Sequence, residues 1–253
     1  MARSPVKKNT AEAPLFDHLE ELRTRIVISI GYWAVGMGVA WSYRTQLLAW
    51  FEAPIHRAST TVNIVVMQLT DQLIMSLNLA FWGGLALALP FVLHQVWLFV
   101  APGLYPEERR WAVPFVIGAG LMFGLGVIFG YYALLPNMVP FLLDFLGGGV
   151  TVNLDVAKYI GTIIALLVAL GAVFELPVLS FVLTKIGIVN ARLLGRLRKI
   201  AFVVILLAAA IITPTPDPFN MMIVALPVYV LYELGIIISR LAAPRDRLVA
   251  SDA

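Results

Sequence analysis

Six apolar stretches, separated by short polar segments, constrain this chain more than any other feature of its sequence. A helix needs about 20 mostly apolar residues to cross a bilayer. The stretches cover about residues 26–43, 73–100, 111–135, 159–183, 200–212 and 219–238. They predict an all-α integral membrane protein, in which residues 1–253 form a single six-span membrane domain.

The composition argues against a soluble fold. Hydrophobic residues make up 60% of the chain and charged residues 13%, whereas soluble proteins carry about 25% charged residues. A soluble protein of 253 residues could not bury so much apolar surface. The absence of cysteine excludes disulfides and thiolate metal sites. We expect no cleavable signal peptide, because the first apolar run leads into further spans.

The basic residues divide unequally between the two sides that six spans define. The N-terminal segment through Arg25, the loop 102–110, the segment 185–199 and the tail from Arg240 together carry 15 Lys and Arg, and the opposite side carries 3. Loops rich in Lys and Arg stay in the cytoplasm. The sequence therefore predicts that both termini are cytoplasmic.

Two segments do not fit a uniform bundle of long helices. The fifth stretch has only 13 apolar residues, which cover about 20 Å of a core about 30 Å thick, and the sixth is only moderately longer. We expect a locally thinned bilayer or support from neighbouring helices. The segment 47–55, "LLAWFEAPI", is either an outer interfacial segment or a packed loop. In the turn 213–219, Asp217 is expected to cap the sixth helix, with Pro218 as its first residue.

Glycines recur through the third stretch and permit close contact with another helix. They stand at Gly118, Gly120, Gly124, Gly126 and Gly130, and Gly120 with Gly124 forms a small-xxx-small pair.

Few residues carry obvious chemistry. The signatures of zinc proteases, nucleotide-binding loops and serine hydrolases are missing, and His18, His56 and His94 fall on different segments. We therefore expect no catalytic residues, no metal site and no cofactor. Glu175 lies inside the fourth stretch, where an ionised carboxylate costs about 2.5–3.5 kcal/mol. It is either a partner-binding or proton-sensitive group or a structural polar contact within the bundle.

Two further acids stand beside arginines on the predicted cytoplasmic side. Glu21 and Arg25 have the four-residue spacing of a stabilising helix pair, and Glu108 suits the first turn of a helix. On physical grounds alone, both have a local structural explanation. A docking site for a cationic partner is the alternative.

Four motifs together resemble the TatC family, the core subunits of the twin-arginine protein translocase. They are "FDHLEELRTR" (16–25), "FVAPGLYPEERR" (99–110), "FELPV" (174–178) and "TPTPDPF" (213–219) followed by "ALPVYVLYELGI" (225–236). The resemblance covers essentially the whole chain in order. It implies a cupped, glove-like bundle of six helices with short fifth and sixth helices.

The resemblance also implies a function without enzymatic activity. Such a protein recognises the twin-arginine signal peptides of folded cargo at its cytoplasmic face. It assembles with TatA/TatB-type single-span subunits and with other copies of itself, and export is driven by the proton-motive force. The implied location is a bacterial or archaeal plasma (inner) membrane. No nucleic acid is involved.

The resemblance assigns roles to individual residues of this chain. It implies that the carboxylates of Glu21 and Glu108 bind the two guanidinium groups of the signal. The further residues that it implies for this site are Arg23, Arg25, Arg110, Phe99, Leu104 and His18. Glu175, Thr213 and Met221 are implied as polar or partner contacts within the membrane, although Met221 replaces a glutamine of some members. Pro54 and Asp217 are implied as structural residues of the external loops.

Two alternatives remain from the residues alone. A secondary transporter that uses Glu175 as its coupling group predicts internal repeats or helices broken near the midplane. An intramembrane enzyme predicts a catalytic constellation.

Overall fold

The computed structural model describes residues 13–58, 62–101, 112–145, 152–213 and 217–242. The elements are α1 (Ala13–Ser42), α2 (Arg44–Ala58), β1 (Asn63–Val65), α3 (Asp71–Val100), α4 (Ala112–Phe129), a π-helical turn (Gly130–Leu134), α5 (Leu135–Leu143), β2 (Asn153–Asp155), α6 (Val156–Phe174), α7 (Leu176–Lys185), α8 (Ala191–Arg196), α9 (Arg198–Ile212) and α10 (Pro218–Ala242).

Four helical stretches of the described residues are long and apolar enough to cross a membrane. They are Asp71–Phe99, Val113–Leu143, Val156–Lys185 and Pro218–Ala242, and the pair α1 and α2, bent by 73°, gives a fifth if it counts as one span. Helix α9 has 15 residues and covers about 22 Å. The predicted count of six spans, which needs α9 to cross, stays a prediction.

Two helical stretches run further than the apolar runs that predicted them. The third continues past Pro136 to Leu143, because a π-helical turn widens the backbone immediately before the proline and Leu135 N–H donates to Gly130 O. Helix α10 has 25 residues and is therefore not short. Its last turn packs against α7, where the hydroxyls of Ser239 and Thr184 lie 2.7 Å apart in a buried pair.

Helix α6 forms the centre of the largest core. Ten of its residues are buried, and it contacts α2, α3, α4, α9 and α10. Glycine lets two neighbours approach closely: a Cβ on Gly126 would lie 2.7 Å from the carbonyl oxygen of Leu170, and a Cβ on Gly36 of α1 would lie 2.5 Å from that of Gly84 on α3. The predicted Gly120–Gly124 pair does not mediate such a contact, since nothing lies within 4 Å of a Cβ on Gly124.

The segment 47–55 is part of helix α2, which packs on the π-helical turn and α5–α6. Pro54 lies inside α2 and has no N–H, so the carbonyl of Trp50, four residues earlier, lacks its helical donor. The buried Tyr131 supplies one: its hydroxyl donates to Trp50 O at 2.8 Å, and its ring stacks on the Trp50 indole at 3.9 Å. Pro54 and Tyr131 thus form one structural unit.

Two short strands join the loops beside α2 and α6. Strands β1 and β2 pair in parallel, with Asn63 opposite Asn153 and Val65 opposite Asp155. Asp155 then caps α6 by accepting a hydrogen bond from the Ala157 N–H. The pairing fixes the start of α6 relative to the end of α2.

We expect Tyr131→Phe to lower the free energy of unfolding by about 1–3 kcal/mol, because it leaves the Trp50 carbonyl buried without a partner. In a Pro54→Ala background the new N–H at position 54 satisfies that carbonyl, so the same change should cost much less. A double-mutant cycle in detergent, measured by thermal unfolding, checks this. Equal costs in both backgrounds would contradict the explanation.

Candidate functional site

The first turns of α1 carry a polar face that packs on the end of α3. His18, Glu21 and Arg25 follow one another at three- and four-residue spacings and therefore share a face. The ring of His18 stacks on Phe99 of α3 at 4.4 Å. One turn earlier on α3, the Gln95 side chain accepts a hydrogen bond from Arg25, with Nη1 and Oε1 3.3 Å apart. Glu21 lies between these two contacts.

Among the described residues, the carboxylate of Glu21 has one weak hydrogen-bond partner. Its Oε1 lies 3.3 Å from Nη2 of Arg25, and the two side chains are 30% and 28% exposed. The Arg25 guanidinium is divided between Glu21 and Gln95, and its buried Nε–H has no hydrogen-bond partner within the described residues. Strong charge-assisted pairs are shorter, about 2.7–2.9 Å, and often bidentate. Glu21 is therefore held in place while it keeps capacity for another donor.

The predicted signal-binding residues are only partly brought together. The structure gathers His18, Glu21, Arg25 and Phe99, and it leaves Arg23 exposed on another face of α1. The remaining predicted residues, Leu104, Glu108 and Arg110, lie outside the described residues.

Gln95 belongs to this site, although it is not among the residues predicted for it. It is 5% exposed and accepts from Arg25, 70 positions earlier in the chain. A polar amide inside an otherwise apolar run was the available signal. The side chain that it meets could not be inferred from that signal.

A second Glu–Arg pair lies where α8, α9 and α10 meet. Glu233 accepts two hydrogen bonds from Arg198, from Nε at 2.8 Å and from Nη2 at 2.9 Å, and a third from the Tyr229 hydroxyl at 3.2 Å. The pair joins α9 to α10. Tyr232 joins α10 to α8 by donating to Leu194 O at 2.6 Å. Together these contacts connect the three helices.

Glu175 occupies the junction between α6 and α7, two residues before Pro177. Its Oε1 is buried and has no hydrogen-bond partner in the described part of the chain. A buried unpaired carboxylate oxygen is costly. The described residues thus leave this oxygen unsatisfied, and both explanations of Glu175 stay predictions.

The predicted residues near the start of α10 form a local cap. Asp217 accepts from the backbone N–H of Asn220 at 2.7 Å and from its side-chain amide at 2.9 Å, and Pro218 is the first residue of α10, which confirms the predicted cap. The buried Thr213 donates to Ala209 O at 2.8 Å. Met221 is partly buried against the main core.

The three histidines lie on different helices, His18 on α1, His56 on α2 and His94 on α3. The described residues contain no group of three His, Asp or Glu side chains placed to hold a metal ion.

Comparisons with known proteins point to one family. The model of "Sec-independent protein translocase protein (TatC)" matches residues 17–227. The protein of that name from Deinococcus radiodurans is 52% identical over 240 residues, which cover 93% of this chain and 89% of the relative. The one from Koribacter versatilis is 40% identical over 235 residues, covering 91% and 86%.

Solved structures agree with the sequence relatives. A crystal structure of the "Twin Arginine Translocase Receptor" TatC superposes with a TM-score of 0.75 at 33% identity, covering 89% of this chain and 99% of that one. A second, determined in DDM, gives a TM-score of 0.77 at 32% identity, covering 88% and 99%.

Proposed function

This chain belongs to the TatC family of Sec-independent protein translocase proteins, and we propose that it binds twin-arginine signal peptides through the Glu21 carboxylate. The observation that carries the proposal is the loose, single contact of Glu21 with Arg25 on a partly exposed helix face. A guanidinium is permanently charged and presents a planar fork that fits a carboxylate with two N–H groups. An incoming arginine thus makes with Glu21 the bidentate contact that Arg25 does not make.

A site of this kind favours arginine over lysine. The ammonium group of lysine is a compact point charge without the fork geometry. We propose Glu108 as the second carboxylate, so that each acid takes one guanidinium of the pair, with Arg23, Arg25 and Arg110 orienting the acids. Phe99, Leu104 and His18 supply adjoining apolar and aromatic surface, which the stacking of His18 on Phe99 supports.

We propose the cytoplasmic side of a bacterial or archaeal plasma membrane as the location of this site. The chain is a multi-pass membrane protein by its apolar helices and its family. The excess of Lys and Arg on one set of loops supports cytoplasmic termini and six crossings. In this topology α9 crosses with 15 residues, so the bilayer is thinned beside it.

We propose that the chain is the core of a larger assembly and is not an enzyme. Its proposed partners are TatA/TatB-type single-span subunits and further copies of itself, and the proton-motive force drives export of folded cargo without a cofactor. Glu175 is the proposed partner contact within the membrane, because its Oε1 has no hydrogen-bond donor among the described residues. Thr213 and Met221 extend this contact toward the external side.

Replacing Glu21 by Gln should weaken binding of a twin-arginine signal peptide about tenfold or more, since a bidentate charged contact is worth at least about 1.4 kcal/mol. Glu20→Gln is the matched control: it removes the same charge from the next, exposed position and should change the affinity little. Fluorescence anisotropy with Arg-Arg and Lys-Lys versions of one labelled peptide measures both. Equal affinity of wild type and Glu21→Gln would remove Glu21 from the site.

The proposed topology predicts a labelling pattern that the cysteine-free chain makes simple to read. In intact cells a membrane-impermeant thiol reagent should modify Asn63→Cys in β1 and Phe219→Cys at the start of α10. Arg196→Cys in α8 should react only after permeabilisation. The same accessibility at Arg196→Cys and Phe219→Cys in intact cells would refute the crossing of α9.

Glu175→Gln removes the charge while it keeps the size of the side chain. We expect signal-peptide binding to stay at the wild-type level, because none of the residues assigned to the site lies on α6 or α7. Export of a twin-arginine cargo in cells should fall. Full export by this variant would make Glu175 a structural residue only.

A further inference from the structure

We propose that Gln95 is a positioning residue of the signal-peptide site: it holds the Arg25 guanidinium back from Glu21 and so keeps the Glu21 carboxylate available to an incoming arginine. This inference rests on the proposed function. It adds a residue of α3 whose action passes through Arg25.

The geometry shows how Arg25 is shared. Its two terminal nitrogens reach different partners, Nη1 to Gln95 and Nη2 to Glu21, each at 3.3 Å. Gln95 is 5% exposed on α3, so its amide oxygen is a fixed point against which Arg25 is held. The contact to Glu21 is limited to a single long hydrogen bond as a result.

The unpaired Nε of Arg25 shows that this arrangement is not the best one for Arg25 itself. A buried N–H without an acceptor destabilises the arrangement that leaves it unpaired. Pairing through Nε and one terminal nitrogen with both oxygens of Glu21 would satisfy that N–H. Gln95 competes with this closed arrangement by taking one terminal nitrogen.

The same chain contains the closed arrangement at Arg198 and Glu233, so the two Glu–Arg pairs can be compared directly. Arg198 uses Nε and Nη2 on the two oxygens of Glu233, at 2.8 and 2.9 Å. An arriving arginine would have to displace such a pair. Glu21 and Arg25 share a single contact at 3.3 Å, so an incoming arginine has one contact to displace rather than two.

Gln95 suits this task because its amide oxygen accepts a hydrogen bond. That oxygen takes one terminal N–H of Arg25, and the other terminal nitrogen still contacts Glu21. An apolar residue of similar size at position 95 would release Arg25 to close on Glu21. The loss of signal binding would then come from Arg25 as a competitor and would need Arg25 to be present.

That dependence gives the test. The full-length protein in lipid nanodiscs is titrated with a fluorescein-labelled synthetic twin-arginine signal peptide. We expect Gln95→Leu to weaken binding about five- to tenfold, which is the lower range of coupling between two sites. Adding Arg25→Gln to Gln95→Leu should give the affinity of Arg25→Gln alone, because Gln95 acts only through Arg25. Gln95→Glu retains an acceptor for Arg25 and should bind at least as tightly as wild type.

Three results would overturn the proposal. Wild-type affinity of Gln95→Leu shows that Arg25 does not compete. A double variant that binds more weakly than Arg25→Gln alone shows that Gln95 only packs α1 on α3, since a purely structural loss does not depend on Arg25. Weaker binding by Gln95→Glu shows that a hydrogen-bond acceptor at position 95 does not keep Glu21 available. This variant tests the proposal by itself if Gln95→Leu does not yield monodisperse protein.

The Glu21→Gln arm separates this proposal from the function on which it rests. If Glu21→Gln binds the peptide like wild type, the proposed function at Glu21 fails whatever the Gln95 variants do. If Glu21→Gln loses binding and the Gln95 variants do not behave as described, only the positioning role fails.

Discussion

An unpaired polar group inside an apolar bundle costs several kcal/mol, and this constraint accounts for much of the structure. Pro54 removes the helical donor of the Trp50 carbonyl, and Tyr131 from a distant segment replaces it. The buried hydroxyls of Thr184 and Ser239 pair at 2.7 Å and join α7 to α10. Such hydrogen bonds determine which helices are neighbours where apolar contacts alone would not.

The same cost of unpaired polar groups distinguishes the two Glu–Arg pairs in the described part of the chain. Arg198 and Glu233 satisfy each other in a closed fork and act as a fastener between helices. Glu21 and Arg25 satisfy each other incompletely, and the surplus capacity of the carboxylate is what a ligand can use. Residue types and charges are identical in both pairs. The third partner, Tyr229 in one case and Gln95 in the other, makes the difference.

Within the described residues, three buried polar atoms lack a hydrogen-bond partner: Arg25 Nε, Glu175 Oε1 and Asn220 Oδ1. Such atoms are uncommon in folded proteins and call for an explanation. Two of them belong to residues that the sequence analysis had already singled out for the signal site and the intramembrane contact.

The sequence by itself determined the class of protein, most helix positions, the cap at Asp217–Pro218 and the family, because these depend on local composition, spacing and motifs. It did not determine which helix faces meet. Lipid and neighbouring helices are equally apolar, so periodicity does not distinguish a lipid-facing side from a packed one. Only the tertiary structure selected Gly126 over Gly124 for close contact. It alone brought Gln95 to Arg25 across 70 positions of the chain, because hydrogen bonds between distant segments depend on how the helices pack.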